Sequence, residues 1–326
     1  MKISKEELMQ GVSETGFRPE ILEKVWRLMS ILDGINTHPF LKNRLVLKGG
    51  TALNLFFFEL PRLSVDIDLN YVGKTARQEM LLERPETERA LESVFKREEL
   101  HTRRIPEKHA GGKWQLRYES VLGGNGTLEV DLNFMFRIPF FEIVKKTSHM
   151  IGSRQTKEIA LLDIHELGAG KLAALFGRNA SRDLFDAHQL LTKCSLNPEQ
   201  FRTVCIVYGA MGTKDWRQVS IKDIRLDKKD LQNQLIPVLK KNVLSTTNWA
   251  DWTSQLLEEC TRALGMLFPL HENEITFLGN LFEHGILDAS LLAQDTTMVE
   301  KIASHPLLQW KAQLVSQNIK DNADKL

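Results

Sequence analysis

The stretch that decides the fold is Leu45–Tyr71, which reads LVLKGGTALNLFFFELPRLSVDIDLNY. A short apolar run leads into Gly49-Gly50-Thr51, an apolar segment of about two helical turns follows, and a turn containing Pro61 precedes VDIDLNY. Residues 65–71 alternate between apolar and polar side chains, which is the pattern of a strand with one buried face. The stretch therefore predicts a strand, a glycine turn, a short helix and a second strand.

Asp66 and Asp68 lie on the polar face of the second predicted strand. At a rise of about 3.3 Å per residue, positions two apart are roughly 6–7 Å apart along a strand. Two carboxylates at that separation can converge on a hard divalent cation such as Mg²⁺ or Mn²⁺, which prefers oxygen ligands. Two solvated aspartates without a ligand are the alternative interpretation.

The glycines ahead of these acids suit an anion. Because Gly49 and Gly50 have no side chains, a bound group can come close to the backbone. If a helix begins at Thr51, its free N–H groups and the positive end of its dipole favour phosphate. A phosphate cradle one short helix away from a metal-binding pair indicates chemistry on a nucleoside triphosphate (NTP).

A second stretch, LEVDLNFMF at residues 128–136, has the same alternation and places Asp131 on its polar face. Metal-dependent nucleotidyl transfer uses two ions, one on the triphosphate and one on the attacking hydroxyl, and a third carboxylate completes the second site. Asp131 is therefore the candidate third ligand, with Glu129 in reserve. A solvent-facing acid on an antiparallel strand is the alternative.

A third stretch, IHELGAGKLAALFGRNASRDLFDAHQLL at residues 164–191, predicts two helices with a break at 179–181 and Ser181 as the N-cap of the second. GAGKL is not a P-loop, because His165 stands where that motif needs Gly and Leu172 replaces its Ser or Thr. Lys171 and the charged residues after it are either a functional cluster or an ion-pair lattice between the helices.

Taken together, these segments resemble a known family. GGT, a variable stretch and R-x-S-x-D-I-D-L, then a helical lysine and R-x-x-x-R-D-x-x-D, are similar to the nucleotidyltransferase superfamily and to its AbiEii-type toxins of bacterial toxin–antitoxin (abortive infection) systems. The resemblance implies an α/β fold, with a nucleotidyltransferase-type mixed sheet flanked by helices and an α-helical C-terminal domain. We expect a catalytic domain at residues 1–153 and a helical domain at 154–326 that contributes to the nucleotide site.

The resemblance also implies roles for residues. The glycine turn would hold the triphosphate, the D-x-D aspartates would bind magnesium, Lys171 would contact the phosphates, and Asp183 or Asp186 would position that lysine. Arg62 and Ser64 either support the site or contact the substrate. The candidate catalytic residues are Asp66, Asp68, Asp131 and Lys171, and the candidate nucleotide contacts are Gly49, Gly50, Thr51, Ser64, Lys171, Arg182, Asp183 and Asp186.

The overall composition limits the partners. With 43 Lys and Arg against 42 Asp and Glu among 326 residues, the chain has no general attraction for nucleic acid, so any such contact needs a local patch. The basic segment 101–114, with Trp114 and two glycines, is either such a patch or solvated surface. Three cysteines without C-x-x-C spacing favour a reducing compartment, and no apolar run reaches the ~18–20 residues of a membrane span. We expect a cytoplasmic protein without membrane contact.

The expected activity is magnesium-dependent transfer of a nucleoside monophosphate from an NTP to an acceptor hydroxyl. The resemblance implies that the acceptor is an RNA such as a tRNA end, and that a cognate antitoxin protein neutralises the activity. A metal-dependent nuclease or phosphoesterase, which needs no added nucleotide, is one alternative. A non-catalytic protein that binds a nucleotide or a partner is the other, although such a protein needs no third carboxylate.

Overall fold

The computed structural model describes residues 3–105, 111–241 and 248–323, so Lys108 and His109 of the basic segment lie outside the described residues. The chain forms two compact units. The sheet unit comprises Met1–Arg137, Glu142–Asp163 and Lys228–Trp249, and the helical unit comprises Ile138–Phe141, Ile164–Asp227 and Ala250–Leu326. The division into domains at residue 153 stays a prediction, and the sheet unit itself extends past that residue to Asp163.

The sheet unit is built on a mixed sheet, as expected from the sequence. In the described part of the chain it has seven strands, in the spatial order β3-β4-β5-β2-β1-β7-β6. They are β1 Leu45–Lys48, β2 Asp66–Tyr71, β3 His101–Ile105, β4 Gly111–Glu119, β5 Asn125–Asn133, β6 Val144–Lys146 and β7 Ile159–Leu161. β2 runs parallel to β5 and β1 runs parallel to β7, while the remaining neighbours are antiparallel.

Among the described residues, four longer helices accompany the sheet: α1 Lys5–Thr15, α2 Pro19–Thr37, α3 Gly49–Phe56 and α4 Arg77–Arg97. Short helical segments at Lys228–Asp230, Leu231–Leu235 and Ile236–Val238 also belong to this unit. α2 packs against β5 and α4, and α4 packs against β3. The alternation of β4 and β5 matches this arrangement, because every second side chain is buried. Trp114 and Val130, for example, are fully buried. The residues next to them in the chain, Lys113 and Asp131, are half-buried and lie on the other, more open face of the sheet.

The helical unit holds the C-terminal helices that the sequence predicted. They are α5 Ile164–Arg178, α6 Ser181–Lys193, α7 Pro198–Met211, α8 Trp249–Ala263, α9 Glu272–Gly279, α10 Thr296–Ser304 and α11 Pro306–Ala323. Short helical turns connect several of them, at Trp216–Gln218, Ile221–Asp223, Leu264–Met266, Asn280–His284 and Ala289–Leu291. Ser181 is the first residue of α6, and Ala180 occupies the N-cap position that was predicted for Ser181.

None of the described helices combines the length and the apolar character that crossing a membrane requires.

The close packing of α1 on α2 gives a first testable prediction. A Cβ at Gly11 would lie 2.6 Å from Cζ2 of the buried Trp26, whose Nε1 donates to the Ile151 carbonyl at 2.8 Å. Gly11→Ala should therefore lower the free energy of unfolding by about 1–3 kcal/mol, the usual cost of overpacking. Equilibrium denaturation in urea measures this change.

Gly177→Ala is the matched control, because Gly177 is also helical and exposed and a Cβ there meets no atom within 4 Å. Alanine should leave stability unchanged or raise it by up to about 1 kcal/mol at that position. Equal effects of the two substitutions would contradict the packing argument.

Candidate functional site

The predicted acids of β2 and β5 come together because the two strands are parallel neighbours. Their register places Asp68 beside Asp131 and Asp66 beside Glu129. Residues paired in this way direct their side chains to the same face of the sheet, and all four carboxylates are half-buried. The structure thus brings Asp131 next to the two aspartates of β2, with Glu129 alongside.

The glycine turn lies directly against these acids. β1 is antiparallel to β2 and sets Lys48 opposite Asp68. Gly49 follows in a left-handed conformation with φ of +75°, and a Cβ there would collide with Oδ2 of Asp68. Only glycine allows this close approach, since both the backbone conformation and the carboxylate exclude a side chain.

α3 begins at Gly49 and is tied to the acidic strand. The buried Thr51 donates its hydroxyl hydrogen bond to the carbonyl of Asp66, so its side chain links α3 to β2. Asn54 donates to the Gly50 carbonyl at 2.9 Å within the same helix. The first turn of α3 therefore starts beside the carboxylates, where its N–H groups and dipole favour an anion.

Lys113 of β4 is a member of this group of charges that the motifs did not reveal. It is the register partner of Asp131, and its ammonium contacts Oε2 of Glu129 at 2.8 Å. The hydrogen bond with Glu129 raises the pKa of Lys113 above its usual value, and the charges of Asp131 and Asp66 raise it further. Lys113 is therefore a positive charge among the acids. The only signal in the sequence was its place in the alternation of β4, which carries no information about register.

The carboxylates of β2 and β5 are the oxygen donors that this face offers to a divalent cation. Among the described residues, no three His, Cys, Asp or Glu side chains stand in an arrangement already suited to hold a metal ion. The chemistry of the site nonetheless fits a hard cation, because carboxylates of adjacent strands share one face and the turn at Gly49 leaves room at Asp68.

Arg62 and Ser64 precede β2 and are both buried. Nη1 of Arg62 donates to the Leu63 carbonyl at 2.8 Å, and the backbone of Arg62 forms an antiparallel bridge with Leu239. The backbone N–H of Leu63 donates to Val238 at 3.0 Å. These contacts favour the interpretation in which Arg62 supports the entry into β2.

The second predicted cluster lies within the helical unit. The buried Lys171 of α5 contacts Oδ1 of Asp183 at 2.9 Å and Oδ2 of Asp186 at 3.0 Å, both on α6. Arg178 also contacts Asp183, at 2.6 Å. Both aspartates are buried, so two carboxylates fix one ammonium. Arg182 is half-buried on the first turn of α6.

The pKa of Asp183 reflects these contacts. Burial alone raises the pKa of this carboxyl, but the charge of Lys171 and the hydrogen bond from Arg178 outweigh burial and lower the pKa below its usual value. Asp183 is therefore ionised at neutral pH, and the cluster of Lys171, Arg178, Asp183 and Asp186 contains equal numbers of positive and negative groups. The ion pairs that join α5 to α6 are also the contacts that hold the ammonium of Lys171 in place, so these contacts do not distinguish the two interpretations of the cluster.

A mixed sheet with carboxylates on two adjacent strands, beside a glycine turn that opens a helix, defines a nucleotidyltransferase-type protein. The model of one family, described as "Nucleotidyl transferase AbiEii toxin, Type IV TA system", matches residues 30–259. The chain belongs to this family of nucleotidyltransferases, as the motifs indicated. No curated protein sequence matches the chain.

Two solved structures extend the comparison. MenT4, a nucleotidyltransferase toxin from Mycobacterium tuberculosis H37Rv, is similar in fold with a TM-score of 0.63 and 16% identity, over 96% of this chain and 99% of that chain. JHP933 from Helicobacter pylori has a TM-score of 0.42 and 16% identity, over 95% of this chain and 97% of that chain. The similarity to MenT4 confirms the predicted fold class.

The Asp183 carboxylate should make stability depend on pH. Its folded pKa lies below the unfolded value, so its contribution is present at neutral pH and is lost as the pH falls from about 5 through the folded pKa. Asp183→Asn should cost about 3 kcal/mol at pH 7, because Lys171 and Arg178 lose a buried partner. The difference from the unsubstituted protein should shrink in acid, as urea denaturation from pH 7 to pH 3 measures.

Asp321→Asn is the control, because Asp321 is exposed near the end of α11. It should shift stability by less than about 0.5 kcal/mol at either pH. A constant difference between Asp183→Asn and the unsubstituted protein across the pH range would disprove the assignment.

The contact between Gly49 and Asp68 gives a further prediction. Gly49→Ala should reduce nucleotidyl transfer at least about a hundredfold, because the new methyl group displaces the Asp68 carboxylate, and misplacing a reacting group by about 1 Å has costs of this size. Turnover is measured as release of pyrophosphate from NTP.

Gly16→Ala separates strain from displacement. Gly16 has nearly the same backbone conformation, with φ of +73°, but a Cβ there meets no atom within 4 Å. Both substitutions should cost about 1–2 kcal/mol of stability through the left-handed backbone, while Gly16→Ala keeps its activity. Comparable losses of activity would show that strain alone acts.

Proposed function

We propose that this nucleotidyltransferase transfers a nucleoside monophosphate from an NTP to a hydroxyl group of an RNA acceptor such as a tRNA end, with magnesium or manganese as cofactor. The observation that carries the proposal is the pairing of Asp68 with Asp131 on adjacent strands, beside the glycine turn at Gly49. A nuclease has use for the acids, but it has no need of a turn that accommodates a triphosphate.

In the proposed reaction the acceptor hydroxyl oxygen attacks the α-phosphorus. The bond from that phosphorus to the bridging oxygen breaks in line, pyrophosphate leaves, and the hydroxyl proton passes to a carboxylate or to water. Asp66, Asp68 and Asp131 would hold the divalent ion, which when bound stabilises the charge that develops on the phosphoryl oxygens. Glu129 pairs with Lys113, so we assign it a supporting position beside the three ligands.

The remaining candidate residues bind the nucleotide in this proposal. The backbone N–H groups of Gly49 and Gly50, with Thr51, favour the triphosphate because they open a helix. Lys171 would neutralise charge on the departing pyrophosphate, with Asp183 and Asp186 fixing the direction of its ammonium. Ser64, Arg182, Asp183 and Asp186 remain candidate contributors to the nucleotide site.

The family name adds a partner. Because the chain belongs to a family of toxins of Type IV toxin–antitoxin systems, we propose that a cognate antitoxin protein neutralises its effect on growth. The cytoplasmic location expected from the sequence fits an enzyme that meets both NTP and RNA, and it stays a prediction.

The decisive experiment combines purified protein, Mg²⁺, each α-³²P-labelled NTP in turn and a pool of small RNAs. Label should move onto a discrete RNA band with one of the four nucleotides. Asp68→Asn should reduce the transfer at least about a thousandfold, since it removes one negative charge from the carboxylates that would hold the divalent ion.

Glu119→Gln is the matched control, because Glu119 is an exposed acid of β4, at the end of that strand remote from Asp131. Its transfer rate should equal that of the unsubstituted protein. Shortening of the RNA without added nucleotide would support the nuclease instead. Absence of label from RNA and from an added protein extract would favour a protein that binds nucleotide without turnover.

A further inference from the structure

The open face of the sheet continues outward from the acids onto β4 and the edge strand β3. Lys113 and Arg117 of β4 share the face of Asp131, because Lys113 is the register partner of Asp131 and Arg117 lies two alternations further along the strand. On β3, Arg103 pairs with Gln115 and His101 pairs with Arg117, which places both on the same face.

Most of the charge on this face is divided between two pairs of strands, although the exposed acid Glu119 also lies on β4, beyond Arg117. The carboxylates occupy β2 and β5, while the side chains of Arg103, Lys113 and Arg117, here called the basic strip, occupy β3 and β4. Strands are about 4.8 Å apart and rise about 3.4 Å per residue, so the strip begins one strand from Asp131 and ends roughly 14 Å from it, at Arg117. Lys113 is its inner end and is already paired with Glu129.

The outer part of the strip is exposed. Arg103 and Arg117 are both exposed, and no ion pair joins either of them to an acid within residues 3–105, 111–241 and 248–323. The adjacent Arg104 differs, because it lies on the opposite face, contacts Glu88 at 2.9 Å and stacks over the ring of the buried Trp114. Trp114 is fully buried, so its ring is not part of the exposed basic surface.

We propose that the basic strip binds the phosphate backbone of the RNA acceptor and directs its terminal hydroxyl toward Asp131. This inference rests on the proposed function, and it adds the surface on which the acceptor lies. Two exposed guanidinium groups complement a polyanion, and the strip is continuous with the acids at which the hydroxyl must react. An RNA strand that follows the strip therefore leads to the carboxylates.

An acidic protein is the competing occupant of a basic surface. RNA is favoured because the strip leads to the carboxylates, which an RNA end must reach in order to react, whereas an acidic protein has no such requirement.

The test measures binding of a fluorescein-labelled RNA hairpin with a single-stranded 3′ end, by anisotropy, to the full chain without nucleotide at several salt concentrations. Arg103→Gln with Arg117→Gln should lower the affinity at least about fivefold at 0.1 M salt. The slope of log K against log salt should fall by about two, one for each lost phosphate contact.

Arg104→Gln is the matched control, since it removes one positive charge from the adjacent residue on the other face of the sheet. Its net charge therefore equals that of the single variant Arg103→Gln. Its RNA affinity and salt slope should not change, and single Arg103→Gln should lower the slope by about one. Circular dichroism and thermal unfolding verify that each variant is folded.

Three results would overturn the inference. One is an unchanged salt slope in the double variant, and the second is an equal loss in Arg104→Gln. The third is displacement of the RNA by poly-L-glutamate as effectively, per charge, as by unlabelled RNA, which would assign the strip to an acidic protein. Failure of the proposed function is a separate result, because the unsubstituted protein would then transfer no label to any acceptor.

Discussion

The rest of the site depends on the contact between the backbone of Gly49 and the carboxylate of Asp68. β1 and β2 lie side by side because they are hydrogen-bonded to each other, with Lys48 opposite Asp68. The chain nevertheless leaves β1 directly after Lys48 and begins α3 at Gly49, beside that acid. A side chain at position 49 would meet that acid and would strain a left-handed backbone. The absence of one methyl group thus lets α3 start in contact with the Asp68 carboxylate.

The two charged clusters of the protein are balanced differently. In the sheet unit, the four carboxylates of β2 and β5 are accompanied by Lys113 and Lys48, which leaves a net charge of −4 + 2 = −2. In the helical unit, Lys171 and Arg178 contact Asp183 and Asp186, so the net charge of that cluster is zero. Concentrated like charge costs free energy that a divalent cation can relieve. The first cluster is therefore suited to receive an ion, whereas the second is complete without one.

Much of the fold could be predicted from short segments. The alternation of β2 and β5, the glycine turn and the pairing of Lys171 with acids of the next helix are local features, because strand and helix periodicity determine which side chains share a face. The aspartates of the motif therefore lie where the sequence placed them. The prediction of Ser181 as the N-cap was wrong by one residue, because Ala180 is the N-cap and Ser181 is the first helical residue. A serine ahead of an acid fits either position.

What could not be predicted is the set of contacts that strand order creates. The alternation of β4 separates Trp114 from Lys113, but it does not tell which residue of β5 lies beside Lys113, and the sequence analysis treated the segment 101–114 as one basic patch. The structure divides it between two faces of β3 and β4, because β4 pairs with β5 in one register only. A shift by one residue would exchange Lys113 for Trp114 beside Asp131. The hydrophobic burial of Trp114 opposes that shift.

This division has a consequence for how such a protein can change its acceptor. In the proposed reaction the acids, the glycine turn and the lysine would each contact the triphosphate or the ion. The basic strip lies on the edge strand and its neighbour, where side chains on the open face contribute little to the core. Substitutions of its exposed members, Arg103 and Arg117, would alter charge without removing the ion pair between Lys113 and Glu129. Because the reaction requires only that a hydroxyl reach Asp131, the strip can determine which acceptor is bound while the chemistry stays the same.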